Sequence, residues 1–207
     1  MQVRPAPPAS PAPTSASLAA VAQPSPARAK PRSPNVNTNL DSADWAALNS
    51  QIRACAQCGL HESRTQAVCG VGHEAADWLI VGEAPGADED AKGEPFVGRA
   101  GQLLNEMLRA IGLNREQVYI ANVLKCRPPG NRNPTAAEVA ECRPYLDRQI
   151  ALLQPKMILV VGAIAARTLL DVDSKVAISR LRGSVHSYGG ANHVAGIPLV
   201  VTSDPAS

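Results

Sequence analysis

Four short apolar runs, separated by segments with helical patterns, constrain the fold of this chain more than any other feature. The runs are WLIVG (78–82), VYIANV (118–123), MILVVG (157–162) and IPLVVT (197–202). Strands that are apolar on both faces are typical of parallel sheets covered by helices on both sides. We therefore interpret the runs as four parallel strands, and the sequence predicts an α/β fold.

Four segments have helical patterns: 41–55, 101–112, 135–153 and 163–170. Asp41 or Ser42 is placed to cap the first, and Thr135 and Glu138 have the spacing of a capping box that opens the third. The stretch GEAPGADEDAKGEPFVGRAG (82–101) is glycine-rich, and we interpret it as an unusually long turn. Because turns that follow parallel strands gather at one edge of the sheet, where ligands bind, this stretch is a candidate binding site.

The first 40 residues differ in composition from the rest. They hold nine of the 18 prolines and four basic residues but no acidic residue. Such a segment buries too little apolar surface to offset the entropy of ordering, so residues 1–40 are predicted to be a disordered tail and residues 41–207 one domain. The tail lacks the apolar core of a secretory signal, and no run approaches the roughly 18 apolar residues of a membrane span, so we expect a cytoplasmic protein.

The charge excludes a generally basic surface for binding nucleic acid. Without the tail, 16 basic residues stand against 18 acidic ones, although the whole chain has a net charge of +2. Any contact with DNA must therefore come from a local patch. The candidate residues for this patch are Lys125, Arg127, Arg132, Arg143, Arg148, Arg180 and Arg182.

The five cysteines suggest a metal site. Cys55 and Cys58 form a C-x2-C motif, Cys126 follows a predicted strand, and Cys142 lies 16 residues later in a predicted helix. Structural disulfides are rare in a reducing compartment, so four thiolates from two separated segments point to metal binding. Zinc in a tetrathiolate, an iron–sulfur cluster and unligated thiols all agree with the spacing. Cys69 lies outside the pattern and is expected to be a buried or free thiol.

Five stretches together resemble one known family. They are CAQCGLHESRTQAVCGVG (55–72), LIVGEAPGADEDAKGEPFVGRAGQLL (79–104), VYIANVLKCRPPGNRNPTAAEVAECRPYL (118–146), MILVVGAIAARTLL (157–170) and RLRGSVH (180–186). In this order they resemble the bacterial and archaeal family 4 uracil-DNA glycosylases over roughly residues 45–202. The resemblance implies a three-layer α/β/α sandwich that hydrolyses the N-glycosidic bond of uracil in DNA and leaves an abasic site for base-excision repair.

The same resemblance implies a cofactor and a partner. The cofactor is a four-iron four-sulfur cluster that stabilises two loops near the DNA, and its ligands would be Cys55, Cys58, Cys126 and Cys142. The partner is single- or double-stranded DNA that contains uracil. A monomer that does not bind membranes is expected.

Uracil recognition is assigned by the same match. Because uracil inside a duplex is out of reach, such an enzyme flips the nucleotide into a pocket or acts on single strands. Phe96 would stack on the base, and the Asn122 amide would accept from uracil N3–H and donate to O4, a pattern that cytosine reverses. Glu89 matches an acid that excludes thymine at the C5 side. The predicted substrate-binding residues are Gly82, Pro85, Gly86, Glu89, Phe96 and Asn122.

The predicted catalytic residues are Glu83, Ala84 and Asp204. Cleavage leaves negative charge on uracil and positive charge on the sugar. A backbone N–H near Ala84 would stabilise charge on uracil O2, and Glu83 would position water or balance the charge on the sugar. The family has a histidine after the last strand, where this chain has Asp204.

The C-terminal sequence departs from the family pattern. The family continues T-Y-H-P-A-Y-L-L-R, whereas this chain reads TSDPAS (202–207), so we interpret the domain as C-terminally incomplete, without its closing helix. Two like charges about 4 Å apart, at an effective dielectric of about 20, repel by about 4 kcal/mol, or about 10² to 10³ in rate. Reduced activity is therefore expected. The alternatives are an inactive iron–sulfur module that binds DNA or a polymerase and a zinc-stabilised nucleotide-binding domain.

Overall fold

The structure is a computed structural model that describes residues 40–189 and 196–203. The predicted disordered tail lies outside these residues, apart from Leu40, which opens a 3-10 turn at Leu40–Ser42. Asp204 also lies outside them. No helix in the described ranges is long and apolar enough to cross a membrane.

Within the described residues, six strands form one sheet. In chain order they are β1 (Val71–Gly72), β2 (Trp78–Gly82), β3 (Tyr119–Asn122), β4 (Met157–Val161), β5 (Val185–Tyr188) and β6 (Ile197–Thr202). The order across the sheet is β1-β3-β2-β4-β6-β5. The four predicted strands β2, β3, β4 and β6 are parallel, which confirms the prediction. Sequence analysis missed the two edge strands, β1 and β5, which pair antiparallel.

In the part of the chain that the structure describes, six α-helices accompany the sheet. They are α1 (Trp45–Ala54), α2 (Ala87–Lys92), α3 (Arg99–Ala110), α4 (Ala136–Leu153), α5 (Ala163–Leu170) and α6 (Ile178–Leu181). The capping box of α4 is confirmed, since Thr135 Oγ1 accepts the Glu138 N–H at 3.2 Å and Glu138 Oε2 accepts the Thr135 N–H at 2.8 Å.

Two local predictions are wrong. The cap of α1 is neither Asp41 nor Ser42 but Asp44, whose Oδ1 accepts the Ala47 N–H at 2.8 Å, because the helix begins at Trp45. The stretch 82–101 is not one long turn, because it contains α2, whose first turn holds three acidic residues. Acidic side chains at a helix N-terminus are stabilised by the helix dipole.

Helices pack on both faces of the sheet. Residues of α4 and α5 share one apolar cluster with Leu79 and Val81 of β2. Residues of α3 pack against Ile80 and Ile120 on the opposite face. Because successive side chains of a strand point to opposite faces, β2 contributes to both clusters. This arrangement agrees with the predicted covered parallel sheet.

The sheet order places a binding edge beside β2. Strand β2 pairs with β3 on one side and with β4 on the other. Doubly wound sheets bind ligands at such a point, outside the carboxyl ends of the strands where the order reverses. Gly82, the last residue of β2, pairs with Asn122, the last residue of β3. The turn after β2 therefore begins next to Asn122.

Candidate functional site

A cavity of about 340 Å³ opens at the carboxyl ends of β2 and β3. Its volume is in the range of small-molecule sites. Seven residues that sequence analysis selected line it: Glu83, Ala84, Pro85, Gly86, Glu89, Phe96 and Asn122. Asp204, the remaining predicted catalytic residue, lies outside the described residues.

Gly82 lies behind this cavity, where two of the selected side chains meet. A Cβ atom at Gly82 would stand 2.5 Å from Asn122 Oδ1 and 2.6 Å from Phe96 Cζ. The amide and the ring therefore lie against the same short piece of backbone. Any side chain at position 82 would push one of them away.

The backbone of Phe96 is held in an uncommon conformation. Its φ is 54°, in the left-handed region that costs a residue other than glycine about 1–3 kcal/mol. Packing enforces this conformation, since a Cβ at Gly101 would stand 1.8 Å from the Phe96 carbonyl oxygen. The Arg115 guanidinium also donates to the carbonyl of Pro95, next to Phe96. The surrounding fold therefore fixes the position of the ring.

Glu89 joins the two helices that follow β2. Its Oε2 accepts the N–H of Gly86 at 3.1 Å, before α2, and its Oε1 accepts those of Val97 and Gly98 at 2.9 and 3.0 Å, before α3. Carboxylates stabilise unpaired N–H groups at helix N-termini. Glu89 thus fixes the shape of the turn, a role that sequence analysis did not assign.

Sequence analysis missed part of the cavity wall. Pro128, Asn131, Arg132 and Asn133 line it from the segment after β3. Arg132 is 43% exposed and pairs with Glu138 at 2.6 Å. The sequence could have predicted this part of the wall, because the polar segment follows a predicted strand that ends at the same edge of the sheet as residues 82–86.

The predicted basic patch is wrong for Lys125, and two further members, Arg143 and Arg148, are half-buried. The Lys125 side chain is buried, with 1% of its surface exposed. Arg143 binds Asp147 at 2.7 Å, and Arg148 donates to the Ala43 carbonyl at 2.8 Å. These side chains make internal contacts, because the segments that carry them pack against the rest of the domain.

The four cysteines selected from the sequence line a second, small cavity together with Tyr145. They are Cys55, Cys58, Cys126 and Cys142. Cys69 is outside this group and buried, and its Sγ contacts the Asn49 carbonyl at 3.7 Å, which confirms the expected buried thiol.

Two of these thiols receive N–H groups. Arg64 Nη1 donates to Cys126 Sγ at 2.9 Å, and the Lys125 backbone N–H donates to Cys142 Sγ at 3.2 Å. Burial raises the pKa of the Cys142 thiol to about 12. Metal binding requires the thiolate, so loading this site is coupled to the release of protons.

The donor set fits a thiolate-bound metal group. Four soft thiols line one cavity, and N–H donors reach two of them, which is the chemistry that suits a bound metal group. The space between the thiols is only about 10 Å³, room for about one water-sized sphere. Within the described ranges, no three His, Cys, Asp or Glu side chains are arranged to hold a single metal ion.

The segment after the C-x2-C motif docks on α2. The buried carboxylate of Asp90 accepts the Thr65 N–H at 2.9 and 3.0 Å. Gln66 Nε2 donates to the Ala91 carbonyl at 2.7 Å. The segment that follows the C-x2-C motif therefore contacts the same helix that carries Glu89 of the cavity wall.

Comparison with known families decides the relationship. A family model described as the uracil DNA glycosylase superfamily matches residues 69–207. The chain belongs to this superfamily. A type-4 uracil-DNA glycosylase of Archaeoglobus fulgidus is 53% identical over 139 residues, which cover 66% of this chain and 69% of that protein.

Other relatives of this uracil DNA glycosylase superfamily member carry the same name. A type-4 uracil-DNA glycosylase of Pyrobaculum aerophilum is 43% identical over 79% of this chain and 84% of its own length. One of Thermotoga maritima is 44% identical over 71% of this chain and 76% of its own length. These relatives confirm the resemblance to family 4 enzymes.

Proposed function

We propose that this chain is a uracil-DNA glycosylase that hydrolyses the N-glycosidic bond of uracil in DNA for base-excision repair. The observation that carries the proposal is the meeting of the Asn122 amide and the Phe96 ring at Gly82, inside a cavity at the carboxyl ends of β2 and β3. The type-4 names of the relatives support it.

Base recognition follows from these two side chains. Phe96 offers an apolar face on which a flipped or single-stranded uracil stacks, a contact that contributes about 1–3 kcal/mol per base. The Asn122 amide accepts from uracil N3–H and donates to O4, so cytosine meets two mismatched pairs. Asn122 is 2% exposed, and discrimination requires that its amide is held in one orientation.

Cleavage is assigned to the turn that follows β2. The Ala84 N–H stabilises negative charge on uracil O2, and the Glu83 carboxylate balances the positive charge that develops on the sugar. The turn is attached to the segment after β3, because the Leu124 N–H donates to the Glu83 carbonyl at 3.0 Å. Glu89 keeps the wall of the cavity in place and is the candidate for excluding the thymine methyl group.

The four cysteines Cys55, Cys58, Cys126 and Cys142 would hold a four-iron four-sulfur cluster. When bound, the cluster supplies a covalent link between the C-x2-C segment, the segment after β3 and α4, and no step of base removal passes through it. We further propose that the enzyme is monomeric and that Arg132, at the rim of the cavity, contacts the DNA backbone.

The test is release of free uracil from a single-stranded oligonucleotide that contains one uracil, by protein purified without oxygen. We expect release that Asn122→Ala reduces to a small residual rate and that Gln102→Ala, which removes an exposed amide on α3, leaves unchanged. No release from folded protein loaded with its cluster would contradict the proposal and favour a module that only binds DNA.

A further inference from the structure

A buried lysine lies between the cavity and the cysteine site. Lys125 is 1% exposed, an uncommon position for this residue. The ion pairs found among the described residues do not include it. A buried ammonium without a carboxylate partner destabilises a fold, and methionine would fill the same space without a charge. Packing alone therefore does not explain a lysine at this position.

The ammonium group of Lys125 joins β3 to α4. Its Nζ donates to the Asn122 carbonyl at 2.7 Å and to Gln149 Oε1 at 2.6 Å. Gln149 is fully buried, and its Nε2 donates to the Cys69 carbonyl at 2.7 Å. The end of β3 is thus connected through two side chains to the segment that precedes β1.

The backbone of Lys125 is fixed as well. Its N–H donates to Cys142 Sγ at 3.2 Å, and its carbonyl accepts the Val68 N–H at 2.8 Å. Cys142 and Gln149 are seven residues apart on α4, so they lie two turns apart on one face of the helix. Lys125 therefore binds this face at two points and holds a fixed position relative to α4.

We propose that Lys125 is a positioning residue for base recognition: it holds the carbonyl of Asn122 and thereby sets the direction of the Asn122 amide in the cavity. This inference rests on the proposed function. The peptide group is planar, so fixing its carbonyl restricts rotation of the backbone at Asn122 and with it the direction of the side chain. A displacement of about 1 Å at a reacting site costs up to about 10² in rate.

The first experiment compares Lys125→Met with a matched control. Methionine keeps the length of the side chain and removes the ammonium. The control is Lys156→Met, which removes an exposed lysine that pairs with Asp77 at 3.0 Å on the surface. Under single-turnover conditions, at equal cluster content, we expect Lys125→Met to slow uracil release about 10- to 100-fold. Lys156→Met should change it less than about twofold.

A double-mutant cycle then separates positioning from a general structural role. If Lys125 acts through Asn122, Lys125→Met should change the residual rate of Asn122→Ala protein by less than about twofold. Equal losses in the two backgrounds would overturn the inference. So would an unchanged rate in folded Lys125→Met protein.

Calorimetry with free uracil gives a readout that does not depend on catalysis. We expect Lys125→Met to weaken uracil binding about tenfold or more and to leave binding of abasic-site DNA unchanged, because the backbone contacts do not involve Asn122. If wild-type protein binds uracil but does not release it from DNA, the proposed function fails. The comparison of uracil affinity between wild-type and Lys125→Met protein still tests the role of Lys125 in that case. Equal uracil affinities, or no uracil binding by either protein, would overturn the inference.

A second variant covers the case in which Lys125→Met does not fold. Gln149→Leu removes the acceptor on α4 and leaves the ammonium in place. We expect the same coupling to Asn122→Ala with a smaller loss, about 3- to 10-fold. A loss of equal size in both backgrounds would contradict the positioning role.

Discussion

The two cavities of this domain are held in different ways. The cavity beside β2 depends on glycines that allow close approach: the Asn122 and Phe96 side chains lie against Gly82, the Phe96 carbonyl lies against Gly101, and Phe96 adopts a left-handed φ. The cysteine site depends on side chains that come from segments far apart in the chain.

The difference shows where each site is sensitive to substitution. A cavity built on close contacts to glycine should lose its shape when one methyl group is added, because the groups packed against the glycine must then move. A site built on side chains should tolerate such changes and fail only when a ligand is removed.

The largest expected effect comes from Gly82→Ala. Its Cβ would stand 2.5 Å from Asn122 Oδ1 and 2.6 Å from Phe96 Cζ, so the amide and the ring must separate. We expect single-turnover uracil release to fall by about 10² or more, while the cluster absorbance at about 400 nm is retained. Gly189→Ala, where nothing lies within 4 Å, is the matched control. Full activity in Gly82→Ala protein would show that the cavity does not depend on this contact.

The second predicted effect is an increase in the rate of uracil release. Asp204→His tests the expectation from the sequence that an acidic residue stands where the family has its histidine and repels the charge on uracil by up to about 4 kcal/mol. We expect uracil release to rise by up to about 10² to 10³, measured in single turnover. Asp41→His, an exposed aspartate before α1, should leave the rate unchanged. An equal rate in wild-type and Asp204→His protein would rule out this repulsion.

The third effect tests the cysteine site. Cys142→Ser should abolish the absorbance at about 400 nm and lower the melting temperature, because one ligand of the cluster is lost. Uracil release should fall less than in Gly82→Ala protein, since the cavity beside β2 keeps its backbone. Cys69→Ser, outside the ligand set, should retain the absorbance. Loss of absorbance in Cys69→Ser instead would mean that the ligand set is wrong.

The smallest effect concerns pH. The Arg132 guanidinium and the Thr135 cap lower the pKa of Glu138 to about 2. Because the folded pKa lies below that of an unfolded chain, about 4.3, the carboxylate stabilises the fold above that pH and loses its effect as pH falls toward 2. Glu138→Gln should melt about 1–3 °C below wild type at pH 7, with the gap closing in acid.

A matched surface pair provides the control for this pH effect. Glu106→Gln breaks a pair with Arg109 in which both side chains are mostly exposed, so water screens it. Its melting temperature should differ from wild type by less than about 1 °C at both ends of the pH range. A pH-independent gap in Glu138→Gln protein would mean that the charge of Glu138 does not stabilise the fold.

The sequence predicted the parts of the fold that repeat a simple pattern. Apolar runs gave the four parallel strands, and the Thr135–Glu138 spacing gave the start of α4. The short helix α2 has no apolar periodicity and was therefore not predicted. Capping by Glu89 and contacts with residues 65–66 stabilise it instead. Strand β1 has only two residues, too few to form a pattern.

The site residues were predictable from the sequence where they directly follow a strand. They were less predictable where their role depends on whether the side chain is buried. The ends of β2 and β3 predicted that Glu83 to Gly86 and Asn122 lie at one edge of the sheet, and the family resemblance supplied their expected roles. Lys125 was expected on the surface, since lysine is usually solvated, and only its packing under α4 shows otherwise. A single sequence does not show that a lysine is enclosed.

The spread of the cysteine site along the chain also sets an order of events during synthesis. Cys58 leaves the ribosome 84 residues before Cys142, which takes roughly 4 to 17 s at about 5–20 residues per second. The residues that line the cavity beside β2 lie between Glu83 and Asn133, so the last of them emerges nine residues before Cys142. Until Cys142 emerges, the thiols of Cys55 and Cys58 have no partner from α4. A growing chain therefore exposes half of its cysteine site to oxidants before the other half exists.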